Sequence, residues 1–130
     1  MLSQTAEYAL RAVVYLAGHT GEPVPNHELA AAAKIPVGYL SKVLQILGRR
    51  GIVSARRGKT GGFKLAREAA TLTILEVVNA VDPVQRIQEC PLHLRAHRHK
   101  LCKMHRRLDS VMVMVEEAFG ATTIADIMHA

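Results

Sequence analysis

A mainly α-helical domain carrying one small β-hairpin is predicted by three observations. Apolar residues recur at helical spacing through most of the chain, a single basic, glycine-rich segment lies between two strand-like pieces, and a long apolar run of helical period comes near the end. At 130 residues the chain has the size of one domain, and its 49% hydrophobic and 22% charged residues belong to a folded globular protein rather than a disordered or fibrous one.

The first helix is expected from Gln4 to Ala17, where Ala6, Leu10, Val13, Val14 and Ala17 share a face, and the breaker-rich residues Gly18 to Pro25 end it. A short second helix follows, with Asn26 as its expected N-cap, Glu28 in the first turn and an alanine-rich run to Lys34. Ile35 to Gly38 read as a turn. In the third helix Leu40, Val43, Leu44 and Leu47 fall at i, i+3, i+4 and i+7, while Tyr39, Ser41, Lys42, Gln45 and Arg49 occupy the other face and Gly51 supplies the C-terminal cap. Ile52–Ala55 and Phe63–Leu65 are strand-like, and the glycines of the intervening Arg56–Gly62 permit the positive φ angles of a hairpin tip.

Thr73 and Glu76 form a capping box that opens a helix through Ile74, Val77, Val78 and Val81, which Pro83 stops. Periodicity is lost from Val84 to Lys103. The last long helix is expected from about His105 to Phe119, with Leu108, Val111, Met112, Val115 and Phe119 on one stripe and Val113 and Met114 off it. So wide an apolar face calls for a second packing partner, and a symmetric homodimer built through this helix is expected. Thr122 or Thr123 is placed to cap a final turn containing Ile124 and Ile127.

Two short helices joined by a tight turn and followed by a two-stranded ribbon are the parts of a winged helix-turn-helix, here with a long C-terminal dimerisation helix. The expected organisation is a DNA-binding region at residues 1–83, a Cys/His loop at 84–104 and the dimerisation helix and tail at 105–130, all in one folded unit. The formal net charge of +6 favours a polyanionic partner, and double-stranded DNA fits the fold. A helix with its side chains fills the major groove, so Ser41, Lys42 and Gln45 are expected at base edges and Tyr39 and Arg49 at phosphates. The ribbon tip offers Arg56, Arg57, Lys59 and Thr60, and an arginine beside glycine is suited to a narrow minor groove. A charge run is more often a solvated face, but that reading leaves unexplained why the cations gather at two places that this fold puts on one surface.

Gly58-Lys59-Thr60 also matches the end of a phosphate-binding loop, which would imply nucleotide hydrolysis. That pattern requires a glycine five positions before Gly58, where Val53 stands, and a helix directly after Thr60, where Gly61-Gly62 follows. The nucleotide reading is rejected.

Glu7-Tyr8-Ala9-Leu10-Arg11, Ile35-Pro36-Val37-Gly38-Tyr39-Leu40 and the stretch from Gly51 through Arg56-Arg57-Gly58-Lys59-Thr60-Gly61-Gly62 to Phe63, followed by the Leu75-Glu76 helix and a cysteine-bearing loop, give the chain a resemblance over nearly its whole length. It resembles the Rrf-type winged-helix transcriptional regulators, some of which are iron-sulfur-dependent sensors. The resemblance implies a homodimer on a palindromic operator, with base contacts at positions matching Gly38, Ser41 and Lys42. Arg57 matches a wing arginine placed in the minor groove.

Cys90 and Cys102 bracket a loop containing His93, His97 and His99, and His105 lies one helical turn after Cys102. Thiolates and imidazoles so grouped are ligands for zinc, iron or an iron-sulfur cluster. Cluster-binding relatives carry three cysteines spaced by about six, so Cys90 and Cys102 match the outer two and Ala96 stands at the middle position, a departure from that pattern. His105 matches a histidine ligand of such relatives, and Glu7 aligns with an acidic residue that some use to complete the cluster from the partner subunit. A two-iron two-sulfur cluster on Cys90, Cys102 and either His105 or Glu7 is the leading reading. It competes with a reversible disulfide aided by Arg95, Arg98, Lys100 and Lys103, with zinc, and with an empty loop.

An enzyme is not expected, because a metalloenzyme needs an open metal position, a placed base and a substrate cleft, and the loop supplies only ligands. A regulator controlled by a protein partner is the third class. The opening residues show no basic stretch before an apolar run and no segment reaches the roughly 20 apolar residues of a membrane span, so a cytoplasmic protein is expected.

Overall fold

A computed structural model of the chain describes residues 2–85 and 102–129. Helix α1 (Gln4–Ala17) is capped by Ser3, whose Oγ accepts from the Ala6 amide at 3.1 Å. Ala6, Ala9, Ala12, Val13 and Leu16 are fully buried on it, and its small alanines let α1 be the helix against which most of the other helices pack.

Helix α2 (Asn26–Ala33) and helix α3 (Val37–Arg49) cross next to α1. Two expectations change here. Pro25, not Asn26, holds the N-cap position of α2, because the Asn26 side chain is drawn across the turn to Ser41 instead of back onto its own helix. Helix α3 begins at Val37, so Val37 and Gly38, read as turn, form its first turn; Pro36 at the N-cap supplies a φ of −57° that leads into a helix. Lys34, which ends α2 with φ 56°, is the one non-glycine residue with positive φ among the described residues.

Gly51, at φ 73°, follows the end of α3 as expected. Its amide donates to the Gly48 carbonyl at 3.1 Å and that of Ile52 to the Leu47 carbonyl at 3.0 Å, the double bond of a Schellman turn, with Leu47 and Ile52 both buried beside it. The chain then enters strand β1 (Val53–Arg56), paired antiparallel with β2 (Gly62–Leu65) in the register Val53 to Leu65 and Arg56 to Gly62. Arg56 is thus strand rather than tip, and Ile52 lies just before the strand. Val24 adds a bridge on the other side of β2, exchanging amide–carbonyl bonds with Phe63 at 2.9 and 2.8 Å, so the ribbon is tied to the segment ahead of α2.

Helix α4 (Ile74–Val81) carries the expected capping box: the Glu76 amide donates to Thr73 Oγ1 at 3.1 Å and the Thr73 amide to Glu76 Oε2 at 3.0 Å. Arg67 adds donors to Oε1 at 3.1 Å and Oε2 at 3.4 Å. The Thr73 amide first, and the Arg67 guanidinium after it, hold the Glu76 carboxyl below the usual glutamate range. A lowered folded-state value stabilises the fold above the unfolded-state value and loses that contribution as pH falls through the folded one. Melting temperature is therefore expected to drop between roughly pH 5 and pH 3, with Glu76→Gln flattening that part of the curve. Thr73→Ala is expected to cost about 1 kcal/mol at neutral pH, read by denaturant titration.

Helix α5 (Lys103–Ala121) starts slightly earlier and ends slightly later than the periodicity indicated, and α6 (Ile124–Met128) is capped by Thr123 through a box with Asp126. The tail returns to the core. Ile124 is fully buried, its amide bonds to the Leu72 carbonyl at 2.8 Å, and α6 packs on α1. Along α5 the apolar stripe divides. Met112, Val115 and Phe119 help line a cleft of about 350 Å³ shared with Leu2 and Ala6 of the α1 end and Val78 of α4, while Met104, Val111 and Met114 stay exposed.

Candidate nucleic-acid interface

Leu40, Val43, Leu44 and Leu47 are buried, so the helical period forces Ser41, Lys42, Gln45 and Arg49 outward on α3, all exposed. Gly38 lies on this exposed side with open space around it, which leaves room for a close approach to the helix start. Tyr39 is 43% exposed, and its ring meets that of Tyr8 edge to face at 5.4 Å. Above Tyr8 sits the Arg11 guanidinium, 5.5 Å from the ring centre. Arg11 also donates to the Lys34 carbonyl at 3.4 Å and lies 4.0 Å from Glu7. The start of α3 is thus propped from α1, and the turn before it is tied to the same arginine.

On the ribbon, Arg56 ends β1 opposite Gly62, and Arg57, Lys59 and Thr60 are exposed in the connection. The connection is tight: the Gly61 amide bonds to the Gly58 carbonyl at 3.0 Å, and a β-carbon at Gly61 would overlap the Arg56 carbonyl. Residues 37–66, which hold both α3 and the ribbon, carry seven Lys and Arg and no Asp or Glu, so no carboxylate of this stretch offsets the positive field that phosphates would meet.

Three residues of this surface carry no sequence signal for their role. Tyr8 and Arg11 enter the sequence reading only within the Glu7–Arg11 stretch that carries the family resemblance, with no role of their own, and Asn26 as a cap. Their partners lie 31, 23 and 15 positions away, at Tyr39, Lys34 and Ser41, and only packing brings them together.

Of the proposed metal ligands, Cys90 lies outside the described residues, as do His93, Ala96, His97 and His99. Cys102 is half-buried and caps α5, its Sγ accepting from the His105 amide at 3.3 Å. His105 is 2% exposed on the first turn of that helix. Glu7 is exposed on α1, its carboxylate directed to Arg11. Among the described residues no three His, Cys, Asp or Glu side chains assemble into a metal site. A sulfur that accepts a backbone N–H is in the role a ligating thiolate fills better than a thiol, so Cys102 with His105 fits part of a cluster's donor set. No helix of the described residues is long and apolar enough to cross a membrane.

The Rrf2 family, described as iron-dependent transcriptional regulators, matches residues 2–130. A protein of Aquifex aeolicus described as a helix-turn-helix-type transcriptional regulator is 30% identical over 132 residues, spanning 99% of this chain and 92% of its own. The helix-turn-helix-type regulator NsrR of Geobacillus kaustophilus is 29% identical over 134 residues, spanning 98% and 89%. Among solved structures, IscR of T. potens superposes with a TM-score of 0.81 at 22% identity over 99% of this chain and 86% of that one. CymR, the global cysteine regulator of B. subtilis, does so with 0.78 at 22% over 98% and 95%. These two bear on the fold, which they share: a mostly helical winged helix-turn-helix with a two-stranded hairpin. The chain belongs to the Rrf2 family of transcriptional regulators.

Proposed function

We propose that the chain binds a palindromic DNA operator as a homodimer in the cytoplasm and senses redox state, nitric oxide or iron-sulfur supply through a two-iron two-sulfur cluster. The exposed basic residues of α3 and the ribbon, in a stretch (37–66) that contains no Asp or Glu, carry the DNA reading. Ser41, Lys42 and Gln45 contact base edges from α3, with Gly38 allowing close approach. Tyr39, Arg49, Arg56, Lys59 and Thr60 hold phosphates, and Arg57 enters the minor groove. The exposed Met104, Val111 and Met114 of α5 support the dimer, because solvent-facing apolar residues on one long helix are covered by a second copy of it. A charge placed there, as in Val111→Asp, is expected to shift the protein to monomer in sedimentation and to weaken operator binding.

Cys90 and Cys102, with His105 or Glu7, would hold the cluster, which supplies a redox- and ligand-sensitive centre when bound. Residues 1–83 then act as the reading head, 84–104 as the sensor loop and 105–130 as the dimer contact. Because Cys102 also caps α5, a change at its sulfur bears directly on the helix that sets the distance between two recognition helices, and half-sites one DNA turn apart need that distance held.

Iron, acid-labile sulfide and the visible spectrum of anaerobically purified protein test the cluster, with Cys102→Ser as the variant. Serine caps a helix at least as well as cysteine but does not ligate as a thiolate, so iron and sulfide are expected to vanish while α5 and the melting temperature persist. Zinc alone, or neither metal, sinks the cluster and leaves zinc, a thiol–disulfide switch or a protein partner to control the same DNA-binding surface.

A further inference from the structure

We infer that Ser41 reads an exocyclic amino group of one base per half-site, adenine N6 or cytosine N4, and that Asn26 is the positioning residue that sets this polarity. The inference rests on the DNA reading above and adds to it a direction of hydrogen bonding.

A serine hydroxyl has one proton to donate and two lone pairs to accept with. The Ser41 proton goes to the Val37 carbonyl one turn back on α3, at 3.1 Å. One lone pair accepts from Asn26 Nδ2 at 3.3 Å. What the exposed hydroxyl still offers to DNA is therefore a single acceptor site. With the Asn26 amide in this orientation Ser41 keeps its bond to the Val37 carbonyl; turning the amide over would require the hydroxyl proton to leave that carbonyl for Oδ1, at the loss of one hydrogen bond. Oδ1 is buried and has no hydrogen-bond partner among the described residues, so the amide is held by the Ser41 contact on its Nδ2 side.

Next to Ser41 on the same face, Lys42 has donors only. The two side chains thus make opposite demands on neighbouring bases. In the major groove the donors on offer are adenine N6 and cytosine N4, while thymine O4 and guanine O6 and N7 are acceptors. Ser41 accordingly prefers A·T and C·G over T·A and G·C at its position, a choice of amino over keto group. Donating outward instead would cost the Val37 bond, so the preference is modest, roughly three- to tenfold for one neutral hydrogen bond. Without Asn26 the hydroxyl turns more freely and the choice fades.

Selection from a duplex library with randomised positions, using the purified full-length chain and its Ser41→Ala, Ser41→Thr and Asn26→Ala variants, tests this. The wild type is expected to enrich a palindrome with one amino-preferring position per half-site. Ser41→Ala loses the preference there and nowhere else, Ser41→Thr keeps it, and Asn26→Ala relaxes it to all four bases with the other positions unchanged. In direct binding, a base lacking the exocyclic amino group at that position weakens the wild type by the same factor and leaves Ser41→Ala unaffected. A keto preference at the Ser41-dependent position, or no position that depends on Ser41, overturns the inference while the enriched palindrome keeps the DNA reading. An Asn26→Ala profile equal to wild type overturns the role of Asn26. Failure of the wild type to enrich any sequence overturns the DNA reading and this inference with it.

Discussion

Replacing Arg57 by alanine is expected to lower operator affinity roughly ten- to hundredfold at fixed moderate salt, the loss typical of a well-placed groove-reading arginine. Arg57 is exposed in the connection that follows β1, in a stretch with no carboxylate of its own to pair with, so removing it subtracts positive charge from the surface without freeing a buried partner. For the same reason the fold should not notice: an exposed change away from caps and core stays within about 0.5 kcal/mol. The slope of log affinity against log salt is expected to become shallower by about one for each wing in contact, since a cation held in the minor groove, where the potential of the flanking phosphates is enhanced, displaces about one counterion. Fluorescence anisotropy at several salt concentrations, with a melting curve for each variant, reads both quantities. An unchanged affinity and slope would take the wing off the DNA.

Gly62→Ala is expected to destabilise the protein by about 3 kcal/mol or more and to abolish high-affinity operator binding. At φ 153° this residue occupies backbone space that L side chains rarely enter, and a β-carbon built there would overlap the Val24 carbonyl and crowd the Pro25 nitrogen. The crowding arises because Val24 and Phe63 bridge across this point, which ties the ribbon to the segment that leads into α2. Relief requires breaking that bridge, and the wing then loses its fixed angle to α3. Gly58→Ala is the informative contrast. It too has positive φ, 110°, but its β-carbon would meet open space, so the backbone strain of about 1–3 kcal/mol comes without the clash and the wing keeps its anchor. Urea titration and anisotropy on the two variants separate these cases; equal losses would mean that conformation alone, not the Val24 contact, requires glycine at Gly62.

Elements governed by local chemistry were legible in the sequence. The stripe Leu40, Val43, Leu44 and Leu47 is buried as its period requires, the Thr73–Glu76 box caps α4, and Gly51 closes α3 with a left-handed backbone. Where expectation and structure part, a distant partner or a neighbouring proline has decided the outcome. Asn26 has the composition of an N-cap, but Ser41, fifteen positions on, competes for its side chain and wins. Pro36 starts α3 early, so Gly38, read as turn, becomes part of that helix. Of the two threonines offered as caps of the last helix, Thr123 is the one that serves, and its bridge to Thr73 ties that cap to the start of α4.

The sequence by itself determined the fold class, the family, and the two basic segments of α3 and the ribbon, because helical period, glycine placement and charge are properties of neighbouring residues. Only the tertiary structure decided how those segments are held. The Tyr8–Tyr39 contact, the Arg11 bond to the Lys34 carbonyl, the Asn26–Ser41 bond and the Val24–Phe63 bridge each join residues fifteen or more positions apart. Such pairs leave no periodic trace in a chain, since their meeting depends on how several helices pack at once and not on the spacing of either partner.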